Sequence, residues 1–117
     1  MIEFQLPIKT VNPVNGAHGH WRKVARIRKS QRQTARLLTP RFEMPAVVTM
    51  TRLSAGVLDD DNLRPALKSV RDGIADKLGI ADNDPRVTWR YAQQRCKRGT
   101  WAVVVMVRRP GDLDAYV

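Results

Sequence analysis

The chain holds a single cysteine, no long apolar run, and no acidic residue between Phe4 and Phe42. Each absence excludes something. With Cys96 alone, no intramolecular disulfide can form, and a cysteine-based zinc site lacks its other ligands. That composition suits a reducing cytoplasm. Without a bilayer-length apolar run or a lipidation motif, nothing points to a membrane. The opening MIEFQLPIK has no charged leader followed by an apolar core, so no signal peptide is expected. Repeats and low-complexity stretches are missing too. So are a glycine-rich phosphate loop and a serine-nucleophile motif, and no organic cofactor is implied.

What the chain does hold is positive charge. Its 117 residues carry 21 Lys and Arg against 11 acids, a net charge of +10. A hydrophobic content of 43% is that of a folded protein, and the length suits one domain over residues 1–117. Such a charge favours a polyanionic partner, nucleic acid before an anionic membrane surface. The plainer alternative is a ribosomal-type binding protein.

The charges are also sorted. Lys9, Arg22, Lys23, Arg26, Arg28, Lys29, Arg32, Arg36 and Arg41 fill the acid-free stretch, whereas seven of the 11 acids fall within 59–84. A carboxylate cluster repels phosphate, so a pure polyphosphate binder has little use for one. A protein that cuts phosphodiesters with bound cations needs both features.

Hydrophobic periodicity predicts the elements. Residues 2–6 alternate as a strand, and 7–20 form a Pro-, Asn- and Gly-rich loop. A helix follows over 21–38, its imperfect apolar stripe formed by Trp21, Val24, Ala25, Ile27, Ala35, Leu37 and Leu38. Residues 45–53 read as a second strand. Leu63, Leu67, Val70, Ile74 and Leu78 fall on one face of a second helix, with Asn62 able to cap its start, Pro65 in its first turn and Gly79 ending it. Gly73 inside that helix marks a close packing contact. Val87, Trp89 and Tyr91 alternate as a third strand, and the apolar 101–107 forms a central strand paired with it as a hairpin. Trp21, Trp89 and Trp101 are expected in the core or an interface, and 110–117 as a loose tail. The order β-α-β-α-β-β gives an α+β domain with a small mixed or antiparallel sheet packed against helices.

Asp59 and Asp61 lie two apart before the second helix. In an extended segment both carboxylates face one point, and such hard oxygen donors suit Mg2+ or Mn2+. The plain alternative is a helix start with acidic neighbours. Asp82 and Asp84 follow the same helix and otherwise read as a solvated turn. Lys68 is placed to reach a phosphate near the metals, or else is a solvated helix lysine. His18 and His20 read as phosphate or solvent contacts.

The pattern Asp59-Asp60-Asp61-Asn62-Leu63, then Lys68 four residues before Asp72, then Gly79 and Asp82-Asn83-Asp84 with Val87 three residues on, resembles the RusA family of Holliday-junction resolvases, typical of phages and prophages. Leu6-Pro7, Asn12-Pro13 and Asn15 are similar to that family's opening. The resemblance implies a RusA-like fold, with Asp59, Asp61 and Asp84 as metal-binding carboxylates and Lys68 as the catalytic lysine. Because Asn83-Asp84 stands where the family has two aspartates, Asp82 is the alternative ligand. It further implies a homodimeric, Mg2+-dependent endonuclease that resolves four-way DNA junctions by paired symmetric nicks in recombination and repair, in the cytoplasm of a bacterial host. His18, His20, Arg22, Lys23, Arg26, Arg28, Lys29 and Arg32 would track the DNA backbone. The rivals are a non-catalytic nucleic-acid-binding protein and a metal nuclease for other branched DNA.

Overall fold

The computed structural model describes residues 1–10 and 21–112. Most of the expected loop, with His18 and His20, and the tail 113–117 lie outside the described residues. The elements are β1 (Ile2–Leu6), α1 (Trp21–Leu38), β2 (Ala46–Ser54), α2 (Asp60–Leu78), β3 (Val87–Arg95) and β4 (Ala102–Arg108). Their order is the one the periodicity predicts, and the result is an α+β fold.

The four strands form one mixed sheet in the order β1-β4-β2-β3. β4 runs antiparallel to both β1 and β2, while β3 runs parallel to β2. The expected β3–β4 hairpin is therefore absent: the two strands lie on opposite sides of β2. The reason is visible in their composition. β4 is nearly all apolar, and its position between β1 and β2 gives it two neighbours. β3 carries exposed Thr88, Arg90, Gln94 and Arg95, which suit an edge that must not recruit further strands. The β2-α2-β3 crossover sets these two strands parallel, as such a connection requires.

Both helices pack on one face of this sheet. Leu6, Val48, Met50, Val103 and Val105 meet Leu67, Val70 and Ile74, all fully or almost fully buried. Each such side chain contributes about 1.5–3 kcal/mol relative to exposure. Residues one place out of step, among them Thr49, Thr51, Arg90 and Met106, line the opposite face.

Gly73 is indeed a close-contact position. A Cβ there would lie 2.3 Å from the Arg32 carbonyl oxygen and 2.6 Å from the Ala35 Cβ, so α1 and α2 touch nearly backbone to backbone. Gly79 closes α2 in the left-handed region, at φ 70°, with its N–H donating to the Asp76 carbonyl.

Three expectations need correcting. The α1 stripe holds only in part: Ala35 is buried and Val24 and Ile27 are half-buried, as expected, but Trp21, Ala25, Leu37 and Leu38 are exposed and the polar Gln31 is buried. Gln31 tolerates burial because its amide donates to the Lys9 carbonyl at 2.8 Å. Trp21 and Trp101 are exposed, so of the core or interface placement expected for them the core is excluded. Finally, α2 begins at Asp60 with Asp59 as its cap, not at Asn62. The Asn62 and Leu63 N–H groups both donate to the Asp59 carbonyl at 2.9 Å, which puts Pro65 in the second turn.

Candidate functional site at the start of the second helix

The earlier start of α2 changes the acidic cluster. Asp59 is extended, at φ −64° and ψ 156°, but Asp60 and Asp61 are helical. The strand-like alternation that would aim Asp59 and Asp61 at one point is therefore lost. Asp59 occupies a capping position without forming a side-chain cap hydrogen bond. Asp59, Asp60 and Asp61 also make no ion pair among the described residues. The positive end of the helix dipole favours their charge but does not neutralise it.

The preceding loop is pinned in place. Gln93 on β3 accepts from the Leu58 N–H at 2.9 Å and donates to the Leu58 carbonyl at 2.6 Å. Arg52 on β2 reaches the same region, donating to Thr10 Oγ1 at 2.8 Å and to the Gly56 carbonyl at 2.9 Å. Arg52 is buried and has no carboxylate partner among the described residues. Burial pushes its pKa down. Sequence reasoning singles out neither residue, since the partners lie across the fold.

The acids at the other end of α2 behave differently. Lys68 donates to Asp72 and to Asp82, which joins the helix to the loop that follows it. Burial pulls the Lys68 ammonium down, but its bonds to the two carboxylates outweigh that and raise its pKa. The bond from Lys68 also holds Asp82 below the usual carboxylate range. The Asp82 carbonyl accepts from Arg71 and from the Trp89 indole. Asp84 is gripped by Arg86, through the guanidinium and the backbone N–H at 2.9–3.1 Å. The guanidinium, then the backbone bond, lowers its pKa to about 2.

Lys68 lies seven residues beyond Asp61, two turns along the same side of α2 and about 10 Å away. The structure therefore joins Lys68 to Asp82, with Asp61 further along that side. It does not collect Asp59, Asp61 and Asp84: among the described residues no three His, Cys, Asp or Glu side chains form a group able to hold a metal ion. Two unpaired carboxylates still fit Mg2+, which keeps several waters and takes oxygens from substrate phosphates. Asp59 and Asp61 are unpaired among the described residues, but the helical start between them no longer aims both at one point.

On α1, Arg22, Lys23, Arg26 and Lys29 are exposed and Arg28 is half-buried. Arg32 is exposed but engaged: it holds Asp76 at 2.7 and 2.9 Å, a bond that raises its own pKa and lowers that of Asp76. No described helix is long and apolar enough to cross a membrane. No family model, curated protein or solved structure matches the chain.

Proposed function

We propose that the chain is a Mg2+-dependent endonuclease for branched DNA, with four-way junctions as its substrate. One observation carries this reading. In a chain with 21 Lys and Arg, three consecutive carboxylates stand at a helix start without an ion pair among the described residues, while Asp72, Asp76, Asp82 and Asp84 are all paired. Glu3, Glu43 and Asp112 also lack an ion pair among the described residues, but they stand singly, whereas Asp59, Asp60 and Asp61 are adjacent, which fits carboxylates kept for an external cation. The RusA-like pattern of the same residues points the same way. The exposed cations of α1 would hold duplex arms by their phosphates. The bound ion would polarise the scissile phosphate and activate water. Lys68 would add a positive charge beside that phosphate, and must give up one of its two carboxylates to do so. A homodimer would match the approximate two-fold symmetry of a junction and place one site on each of two strands.

The test is a nicking assay on an immobile four-way junction, a flap and a plain duplex, each in Mg2+ and in EDTA. Paired nicks in the junction that vanish in EDTA are expected. Tight junction binding with no nick in Mg2+ or Mn2+ would establish the second reading, a non-catalytic junction binder. The grip of Arg86 on Asp84 favours that alternative, since it occupies a carboxylate the resemblance assigns to the metal.

A further inference from the structure

A concavity of about 670 Å3 runs around the outer edge of β3, which has no further strand among the described residues, beside the acidic start of α2. Arg64, Trp89 and Tyr91 line it from the helix side, and Arg90 and Arg108 from the opposite sheet face, with Asp60 as its single acid. Arg64 and Arg90 are exposed and enter no ion pair among the described residues. These two guanidinium groups alone outnumber the one carboxylate, which makes the concavity a seat for an anion.

The cleft is too large for an isolated phosphate and falls within the range of organic ligand sites. Its aromatic content narrows the choice. The Arg64 guanidinium lies over the Tyr91 ring at 5.2 Å, and Arg71 lies over Trp89 at 5.0 Å. Arg71 also donates to the Tyr91 hydroxyl at 2.8 Å, so Arg71 ties the two rings together while Arg64 lies exposed over the Tyr91 face. Cations that follow a backbone, set among fixed aromatic and guanidinium planes, are the recurring means of holding unpaired nucleotides. A duplex keeps its bases stacked inside and offers such planes nothing.

We infer that this cleft seats an unpaired DNA segment, with Arg64 and Arg90 on its phosphates and a base against the Arg64–Tyr91 plane. The inference rests on the DNA reading above and deepens it. Duplex arms would lie along α1, while the strand at the branch point crosses the β3 edge toward Asp59 and Asp61.

The test uses the whole chain without metal, a ten-nucleotide oligothymidylate carrying one 5-iodouracil, and a duplex of equal length. Arg64→Gln with Arg90→Gln should weaken single-strand binding about tenfold and duplex binding much less. Arg26→Gln with Lys29→Gln on α1 should do the reverse. Both pairs are exposed, and circular dichroism checks that the variants fold. Irradiation should crosslink the oligonucleotide to the tryptic peptide 91–95. Crosslinks confined to α1, or equal loss of single-strand binding in both double variants, would overturn the cleft while leaving the nuclease reading intact. Crosslinks at 91–95 without any cleavage in Mg2+ would keep the cleft and remove the nuclease. No binding to either probe would overturn both.

Discussion

The two ends of α2 carry the same kind of side chain in opposite conditions. At its start, Asp59, Asp60 and Asp61 lack ion pairs among the described residues. Along its second half and in the loop beyond, Asp72, Asp76, Asp82 and Asp84 are held by Arg32, Lys68 and Arg86. The second group ties α2 to α1 and folds the loop back along the helix. The first group holds nothing together, and the Asp59 side chain does not even cap its own helix. The acidic residues of 59–84 thus divide in two, one set paired within the fold and the other without an ion pair among the described residues.

The sharpest way to break this division is to neutralise one acid from each end. Asp61→Asn should reduce metal-dependent cleavage by roughly 100-fold or more while leaving the melting temperature and junction binding near the wild-type values. Asp76→Asn should do the opposite, leaving cleavage in place and costing about 0–1 kcal/mol of stability, as befits a partly exposed pair. Nicking rates and thermal melts on the two variants suffice. If Asp61→Asn lowers stability and spares cleavage, the division is misdrawn.

The architectural end can also be probed without charge. Gly73→Ala forces a methyl against the Arg32 carbonyl and must spread α1 from α2, at a cost of about 1–3 kcal/mol. A chemical melt would register that as a lower midpoint, and an unchanged midpoint would mean that the helices are not in close contact. Asp59→Ala, at the open end, is the comparison that should lower the midpoint less, by the dipole contribution of about 0.3–1 kcal/mol alone.

Acid gives the smallest and most selective probe. Asp76, Asp82 and Asp84 have folded pKa values below their unfolded ones, through Arg32, Lys68 and Arg86 respectively. A depressed carboxylate contributes stability that is present above its unfolded pKa of about 3.9 and is lost as pH falls through the folded value. For Asp84 that value is about 2. The melting temperature should therefore fall between about pH 4 and pH 2, and Asp84→Asn should make that fall shallower. A slope unaffected by Asp84→Asn would show that the Arg86 grip does not hold in solution.

Much of this is legible in the sequence, and the failures have physical causes. Element positions follow from local periodicity, so α1 and β1 have the limits the pattern predicts. Strand pairing is not local. A short connection between β3 and β4 suggests a hairpin, but the apolar character of β4 favours the sheet interior and β3 is left at the edge. Residue type alone sets the start of α2 too late, because both Asp59 and Asn62 are good capping residues and the chain uses the earlier one. Lys68 and Asp72 are four apart, a spacing that permits an ion pair on a helix, although residue type reads Lys68 as a phosphate contact or a solvated lysine. That Asp82 joins them depends on the path of a loop. Arg52 and Gln31 are opaque for the same reason, since their partners come from distant segments.

The strand order also sets a timetable. β1 is made before the other described elements, yet its one partner in the sheet is β4, the last of the described strands. While the protein is being synthesised, β1 must wait, unpaired, until the chain has emerged as far as Arg108. The β2-α2-β3 unit can assemble earlier, from contiguous chain. Closure of the sheet is then a late, long-range event, the kind that slows folding and prolongs exposure of apolar strands. A break before residue 102 would leave β1 without a partner and uncover the inner flank of β2.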